Sequence, residues 1–403
     1  MYNIRFIPTN LFIPVFLFTL AIPLVRHLEE PHAAGDSLSG FPATFKEDQN
    51  TVYSPYGMET LAAMMAIGAK TETLVELQNA FQFPACADDI IALHHRIQPD
   101  FPGKTGSPLS FLAANSLWVA GGITLNPVFQ EHVSNGFDAD VVLHDFSIGS
   151  ETNRHDINAW VQRQTADKIS FITDGFAPET RMVVVNAIDF CCNWCTAFDP
   201  ANTKNRNFIL ANGEKIPVPM MQQQMRIPYF EDEEVTCILL PYTQKNLGMI
   251  LVLPKNTIDE NTPIHNFSLV KVTRWQKQMV LETVDCLIPK FRMESSFDLK
   301  PVFGQLGVTR AFDQDKADFS GITVGGNNLF ISKAVQKITL EIGETGTEAA
   351  AATAAIFVPK SPMNMINKVM HFHANRPFYF AVMDIDKGTF LFVGRYVAPV
   401  PSE

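Results

Sequence analysis

The chain is poor in cross-links, in basic charge and in catalytic motifs. Six Cys among 403 residues lie far below the density of a disulfide scaffold, so packing must hold the fold. Charged residues make up 18% against 46% hydrophobic, which excludes a disordered chain and implies a large core. The formal net charge is −11, which argues against nucleic acid as the main partner, because phosphate contacts need basic patches. No internal repeat and no low-complexity linker divides the chain. Gly103-Lys104-Thr105 looks like the end of a phosphate loop, but Gln98 stands where the first Gly is required. There is no G-x-S-x-G elbow and no H-E-x-x-H. Cys192 and Cys195 form a C-x-x-C beside Cys191 with no second Cys or His pair at zinc spacing, and read as cysteines packed at a strand end. His94-His95 and His371/His373 have no Cys or carboxylate neighbour in sequence and read as packing or surface histidines. No catalytic centre, metal or cofactor is expected.

What is present begins at the N-terminus. Arg5 precedes an apolar run from Leu11 to Val25, which ends at Arg26 and the acidic pair Glu29 and Glu30. Residues 1–25 therefore read as a secretory signal peptide. The run is too short, and too interrupted by Pro14 and Pro23, to predict a membrane span. A secreted, extracellular protein is expected, and the sequon Asn266-Phe267-Ser268 offers a glycosylation site in keeping with it. Residues 36–403 read as one domain. The stretch from Met58 to Lys70, started by Ser54-Pro55, has helical spacing, with Leu61, Met64, Met65 and Gly68 on one face. Residues 153–170 predict a second amphipathic helix through Ile157, Trp160, Val161 and Ile169. Met182 to Phe190 is continuous and β-branched, as in a strand buried on both faces. Strands follow at Val235–Leu240, Met249–Leu253, Val284–Phe291, Lys333–Ile342, Phe378–Met383 and Phe390–Val393. Helices early and strands late, without strict alternation, predict an α+β fold.

The most informative segment is 343–362, GETGTEAAAATAAIFVPKSP. Propensity alone would make 348–355 a helix. However, the strand Lys333–Ile342 feeds directly into it, and Pro359 and Pro362 flank Lys360-Ser361 in a following loop. A long loop within a compact domain usually carries function.

Segments in a recognisable order span nearly the whole chain. They are Asn50-Thr51-Val52-Tyr53-Ser54-Pro55, Val185-Asn186-Ala187-Ile188 with Trp194, Val218-Pro219-Met220-Met221, Leu240-Pro241-Tyr242 and Ile288-Pro289-Lys290-Phe291. Leu306-Gly307-Val308, Ala317-Asp318-Phe319-Ser320-Gly321, the GTEAAAATAA segment and Phe372-His373-Ala374-Asn375-Arg376-Pro377-Phe378 complete the set. In these the chain resembles the serpins, the serine protease inhibitor family. The resemblance implies an α+β serpin fold with three β-sheets, about eight or nine helices and an exposed reactive loop. It also implies a mechanism: the loop is cut by the target protease, and its N-terminal half then inserts as a new strand in the central sheet.

By the same resemblance, the hinge is Gly346, Thr347, Glu348, Ala349, Ala350, Ala351, Ala352 and Thr353. Strand alternation would turn Thr347, Ala349, Ala351, Thr353 and Ala355 to one side, all small enough for a sheet interior, with Glu348 on the solvent side. The family spacing puts the scissile bond fourteen residues beyond Gly346, at Lys360-Ser361, and fourteen strand steps span about 46 Å. Lys368-Val369 is a second basic bond in the same stretch. A Lys bait implies a carboxylate in the target's pocket, hence a trypsin-like serine protease held in a covalent complex by a monomeric inhibitor. Trp194, Lys290 and Glu344 match the upper opening of the sheet, and Ser54, Asn186 and Gln336 its central shutter. Two positions depart from the pattern: Gly57 stands where a Ser is common, and Gln336 where a His is common. Residues 86–100 hold one Arg and no Lys, which argues against a glycosaminoglycan-activation site. The alternative function is a non-inhibitory serpin acting as carrier or chaperone; such members typically carry bulky or charged hinge residues.

Overall fold

The computed structural model describes residues 48–100, 110–255, 268–325, 329–347 and 368–399. In chain order the elements are β1 (Thr51–Tyr53), α1 (Pro55–Gly68), α2 (Thr71–Phe81), α3 (Ala87–Ile97), β2 (Ser110–Ala120), α4 (Pro127–Phe137), β3 (Ala139–His144) and α5 (Ser150–Gln164). Next come β4 (Met182–Asn193), β5 (Lys204–Ile209), β6 (Lys215–Glu231), β7 (Val235–Pro241), β8 (Leu247–Pro254), α6 (Leu269–Gln278), β9 (Val280–Pro289) and β10 (Phe291–Asp298). The chain finishes with α7 (Lys300–Gln305), β11 (Ile331–Ile342), β12 (Gly346–Thr347), β13 (Met370–His373), β14 (Phe378–Asp384) and β15 (Thr389–Tyr396).

Among the described residues there are seven α-helices and two hydrogen-bonded sheets, fewer of each than the resemblance implied. The reason for the sheet count lies in β6. It pairs with β5 at one end, with β9 along most of its length and with β7 at the other end. One long strand thus joins two layers into a single nine-stranded ladder. The six-stranded central sheet runs β10-β11-β12-β4-β2-β3.

Helix α1 starts at Ser54, whose side chain accepts from the Gly57 amide, with Pro55 in the first turn. Thirteen of its 14 residues are buried, so this is a core helix rather than an amphipathic one. Strand β4 is buried on both faces over Met182–Cys192. Its odd face, Val183, Val185 and Ala187, packs with Ile157, Trp160 and Trp118. Its even face meets the α1 side through Met182 and Val184 and the second sheet through Ile188, Phe190 and Cys192. Two-sided burial explains why the sequence shows no alternation there. The six cysteines are free. Cys191 and Cys192 are buried at the end of β4, whereas Cys195 is exposed rather than packed, because it lies past the strand end.

Candidate functional site at the opening of the central sheet

Strands β4 and β11 pair directly and in parallel from Met182↔Ile331 to Asp189↔Thr339. Above that point they are separated by two residues of β12. Gly346 and Thr347 pair with Asn193 and Cys192 on one side, and Thr347 pairs with Ile342 on the other. Only Gly fits at 346: an added Cβ would stand 2.1 Å from the Cys192 carbonyl oxygen and 2.6 Å from the Asn193 Cα. Thr347 is fully buried, with its hydroxyl 2.6 Å from that of Tyr242.

A ring of contacts holds this wedge. The Trp194 amide donates to Thr345 O at 2.8 Å, and its indole Nε1 donates to Gly343 O at 3.0 Å. The same indole stacks on Tyr242 at 4.5 Å between centroids. The amide of Phe198 donates to Glu344 O at 2.8 Å. Lys290 Nζ lies 2.8 Å from Glu344 Oε2, and the Thr203 hydroxyl donates to Glu344 Oε1 at 2.9 Å. Burial raises the Glu344 carboxyl, but the hydrogen bonds from Lys290 and Thr203 outweigh it and hold the group below the usual carboxylate range. Trp194, Lys290 and Glu344, distant in sequence, thus meet around one turn.

Lower in the seam, Asn186 and Gln336 face each other in the β4–β11 register. Gln336 Nε2 donates to Asn186 Oδ1 at 2.9 Å and to Ser54 O at 3.1 Å, while its Oε1 accepts from the Ser54 amide at 2.9 Å. Asn186 Nδ2 donates to Asn115 Oδ1 at 2.7 Å. All four residues are buried. Gly57 and Gln336 share one packing arrangement. A Cβ at Gly57 would lie 2.4 Å from Asn186 Oδ1 and 2.8 Å from Gln336 Nε2. The missing side chain at 57 is the room in which the two amides meet.

The residues from Glu348 to Thr353, the bond Lys360-Ser361, the leader 1–25 and the sequon at Asn266 lie outside the described residues. Lys368 and Val369 are described, directly ahead of β13. Asn115, Tyr242 and Thr203 join the site only through the fold; of the three, Tyr242 alone has a signal in sequence, as part of Leu240-Pro241-Tyr242.

A family model for serpins (serine protease inhibitors) matches residues 39–399. The chain belongs to the serpin family. It is 35% identical over 352 residues to an uncharacterized serpin-like protein of Thermococcus kodakarensis, covering 87% of this chain and 81% of that one. To the leukocyte elastase inhibitor of Xenopus tropicalis it is 33% identical over 361 residues, 87% and 93% of the two chains. The solved structure of human thyroxine-binding globulin complexed with thyroxine superposes with a TM-score of 0.77 at 26% identity, covering 88% of this chain and 94% of that one.

Proposed function

We propose that this serpin is a secreted, monomeric, irreversible inhibitor of a trypsin-like serine protease. The observation that carries the reading is Gly346–Thr347, paired as a strand between β4 and β11 at the end of their seam. Residues that continue this strand would separate the parallel ladder and add to it. The small side chains at 349, 351, 353 and 355 suit such a position. In the proposed reaction the protease serine attacks the Lys360 carbonyl, an ester forms, and the amine of Ser361 leaves. Insertion of the new N-terminal segment then carries the ester-linked protease about 46 Å from where it was captured. The name of the leukocyte elastase inhibitor supports protease inhibition as the general activity, and Lys360 narrows the target to an enzyme with an acidic specificity pocket. The leader over residues 1–25 and the sequon at Asn266 support secretion.

Likeness to thyroxine-binding globulin favours a second reading, a carrier or chaperone. The Gly-Thr-Glu-Ala-Ala hinge weighs against it. Incubation with trypsin, followed by denaturing gels and mass spectrometry, separates the two. The inhibitor gives a boiling-resistant adduct joined through Lys360, and Lys360→Ala abolishes it. Complete cleavage at Lys360-Ser361 with release of active trypsin would overturn the inhibitory reading.

A further inference from the structure

His371 and His373 have no carboxylate neighbour in sequence, and no metal is expected from it. The fold supplies a partner 88 residues upstream of His373. Strand β13 lies parallel to β9 with His371 opposite Asp285 and His373 opposite Leu287. Strand alternation turns both imidazoles and the Asp285 carboxylate to the same face, while Phe372 and Cys286 between them point into the core, both fully buried. His373 Nε2 is 3.0 Å and His371 Nδ1 3.5 Å from Asp285 Oδ2. One ligand atom from each residue lies within 4.8 Å of the other two.

We propose that Asp285, His371 and His373 form a binding site for a divalent transition-metal ion of the zinc class, which ties β13 to β9. Ligand atoms on a tetrahedral zinc stand about 3.3 Å apart for bonds of about 2.0–2.1 Å. The two separations to Asp285 Oδ2 bracket that value and all three ligand atoms lie within 4.8 Å of one another, so side-chain rotations would complete the site. Two imidazoles and one carboxylate suit Zn²⁺, while Ca²⁺ and Mg²⁺ need more oxygen ligands than are offered here. The fourth position is left to water. Asp285 is itself positioned from β6: Gln222 Nε2 donates to its Oδ1 at 3.0 Å and Oδ2 at 3.2 Å, and Arg206 Nη2 donates to Gln222 Oε1 at 2.6 Å. Such outer hydrogen bonds fix a ligating carboxylate in place.

The position gives the site a consequence. β13 is an edge strand joined to β9 by four register pairs and begins two residues after Lys368. A bound ion would add a link between the strand that ends the reactive-loop stretch and the body of the sheet. The site stands whether or not the chain inhibits proteases.

The test is calorimetric titration of the full-length protein with ZnCl₂, together with Co²⁺ absorption spectra. One ion per chain is expected, with tetrahedral Co²⁺ bands and a thermal midpoint that rises by a few degrees and falls back with chelator. Asp285→Asn, His371→Gln and His373→Gln keep hydrogen-bonding capacity and should each weaken binding at least roughly tenfold. Zinc protection of His371 and His373 against diethylpyrocarbonate, read by mass spectrometry on the unmutated chain, needs no variant to fold. No binding at submillimolar Zn²⁺, or equal affinity in all three variants, would overturn the site and leave the trio a hydrogen-bonded set only.

Discussion

Replacing Gln336 by Met keeps the length of the side chain and deletes its amide. Gln336 is fully buried and makes three hydrogen bonds. Ser54 O keeps the Met58 amide as donor at 3.0 Å, and Asn186 Nδ2 keeps Asn115. The Ser54 amide and Asn186 Oδ1 lose the partner described here. Two buried polar groups left unpaired at about 1–3 kcal/mol each predict a loss of about 2–6 kcal/mol. At roughly 2 °C per kcal/mol, the thermal midpoint by circular dichroism should fall about 4–12 °C. The Gln336–Asn186 bond also crosses the β4–β11 seam that the proposed insertion would open, so on that proposal heat-induced loop-to-sheet polymers should form at lower temperature. Gly57→Ala would press a Cβ against Asn186 Oδ1, Gln336 Nε2 and Ile188 Cδ1 and should destabilise by itself. A midpoint shift below about 1 °C for Gln336→Met would refute the picture of a buried network held by this amide.

Glu344→Lys exchanges the Lys290 ion pair and the Thr203 hydrogen bond for two adjacent cations. With Lys290 41% exposed, solvent screening keeps the pair's worth to about 0–1 kcal/mol, so folding should survive while native gels after mild heating show more polymer than wild type. Thr347→Arg forces a guanidinium into the fully buried position beside Tyr242, at several kcal/mol; it should be cut by trypsin as a substrate without forming an adduct. Ala351→Glu should behave the same way and Glu348→Arg should still form the adduct; identical behaviour of all three would count against strand alternation in the hinge. Burial raises the Glu59 carboxyl from 4.5 to about 8, so its folded form holds a proton that the unfolded chain releases. Its contribution is intact below about pH 4.5 and declines as pH rises to 8, by up to about 1.4 kcal/mol per pH unit. Glu59→Gln should therefore match wild-type midpoints near pH 4.5 and exceed them near pH 8; a constant offset across that range would refute the assignment.

Elements whose signal is local were legible in the chain. The unbroken apolar run of β4 predicted two-sided burial, and Ser54-Pro55 marked the start of α1, because neither depends on a distant partner. The boundaries moved where partners decide them. The helix expected over residues 153–170 ends at Gln164, since Ala166 and Asp167 have positive φ. The strand expected over Val284–Phe291 divides at Lys290, with β9 pairing to β6 and β10 to β11. Strand β2 was not anticipated at all. Its Ala113-Ala114-Asn115-Ser116 stretch has little β propensity, and its place is set by pairing with β4.

The family motifs were written in the order of residues, and the proposed hinge and bait rest on that order alone, because a strand proposed to enter a sheet would carry its requirements in its own side chains. Geometry that depends on closure across the chain was not. Gly57 and Gln336 look like two losses in sequence; only the fold shows the space left by one filled by the amide of the other, with Ser54 and Gln336 282 residues apart. Likewise Asp285 and the two histidines share a face only because β13 docks in parallel on β9. Register between strands is decided by whole-chain packing, and side-chain chemistry across a seam follows from register rather than from sequence neighbours.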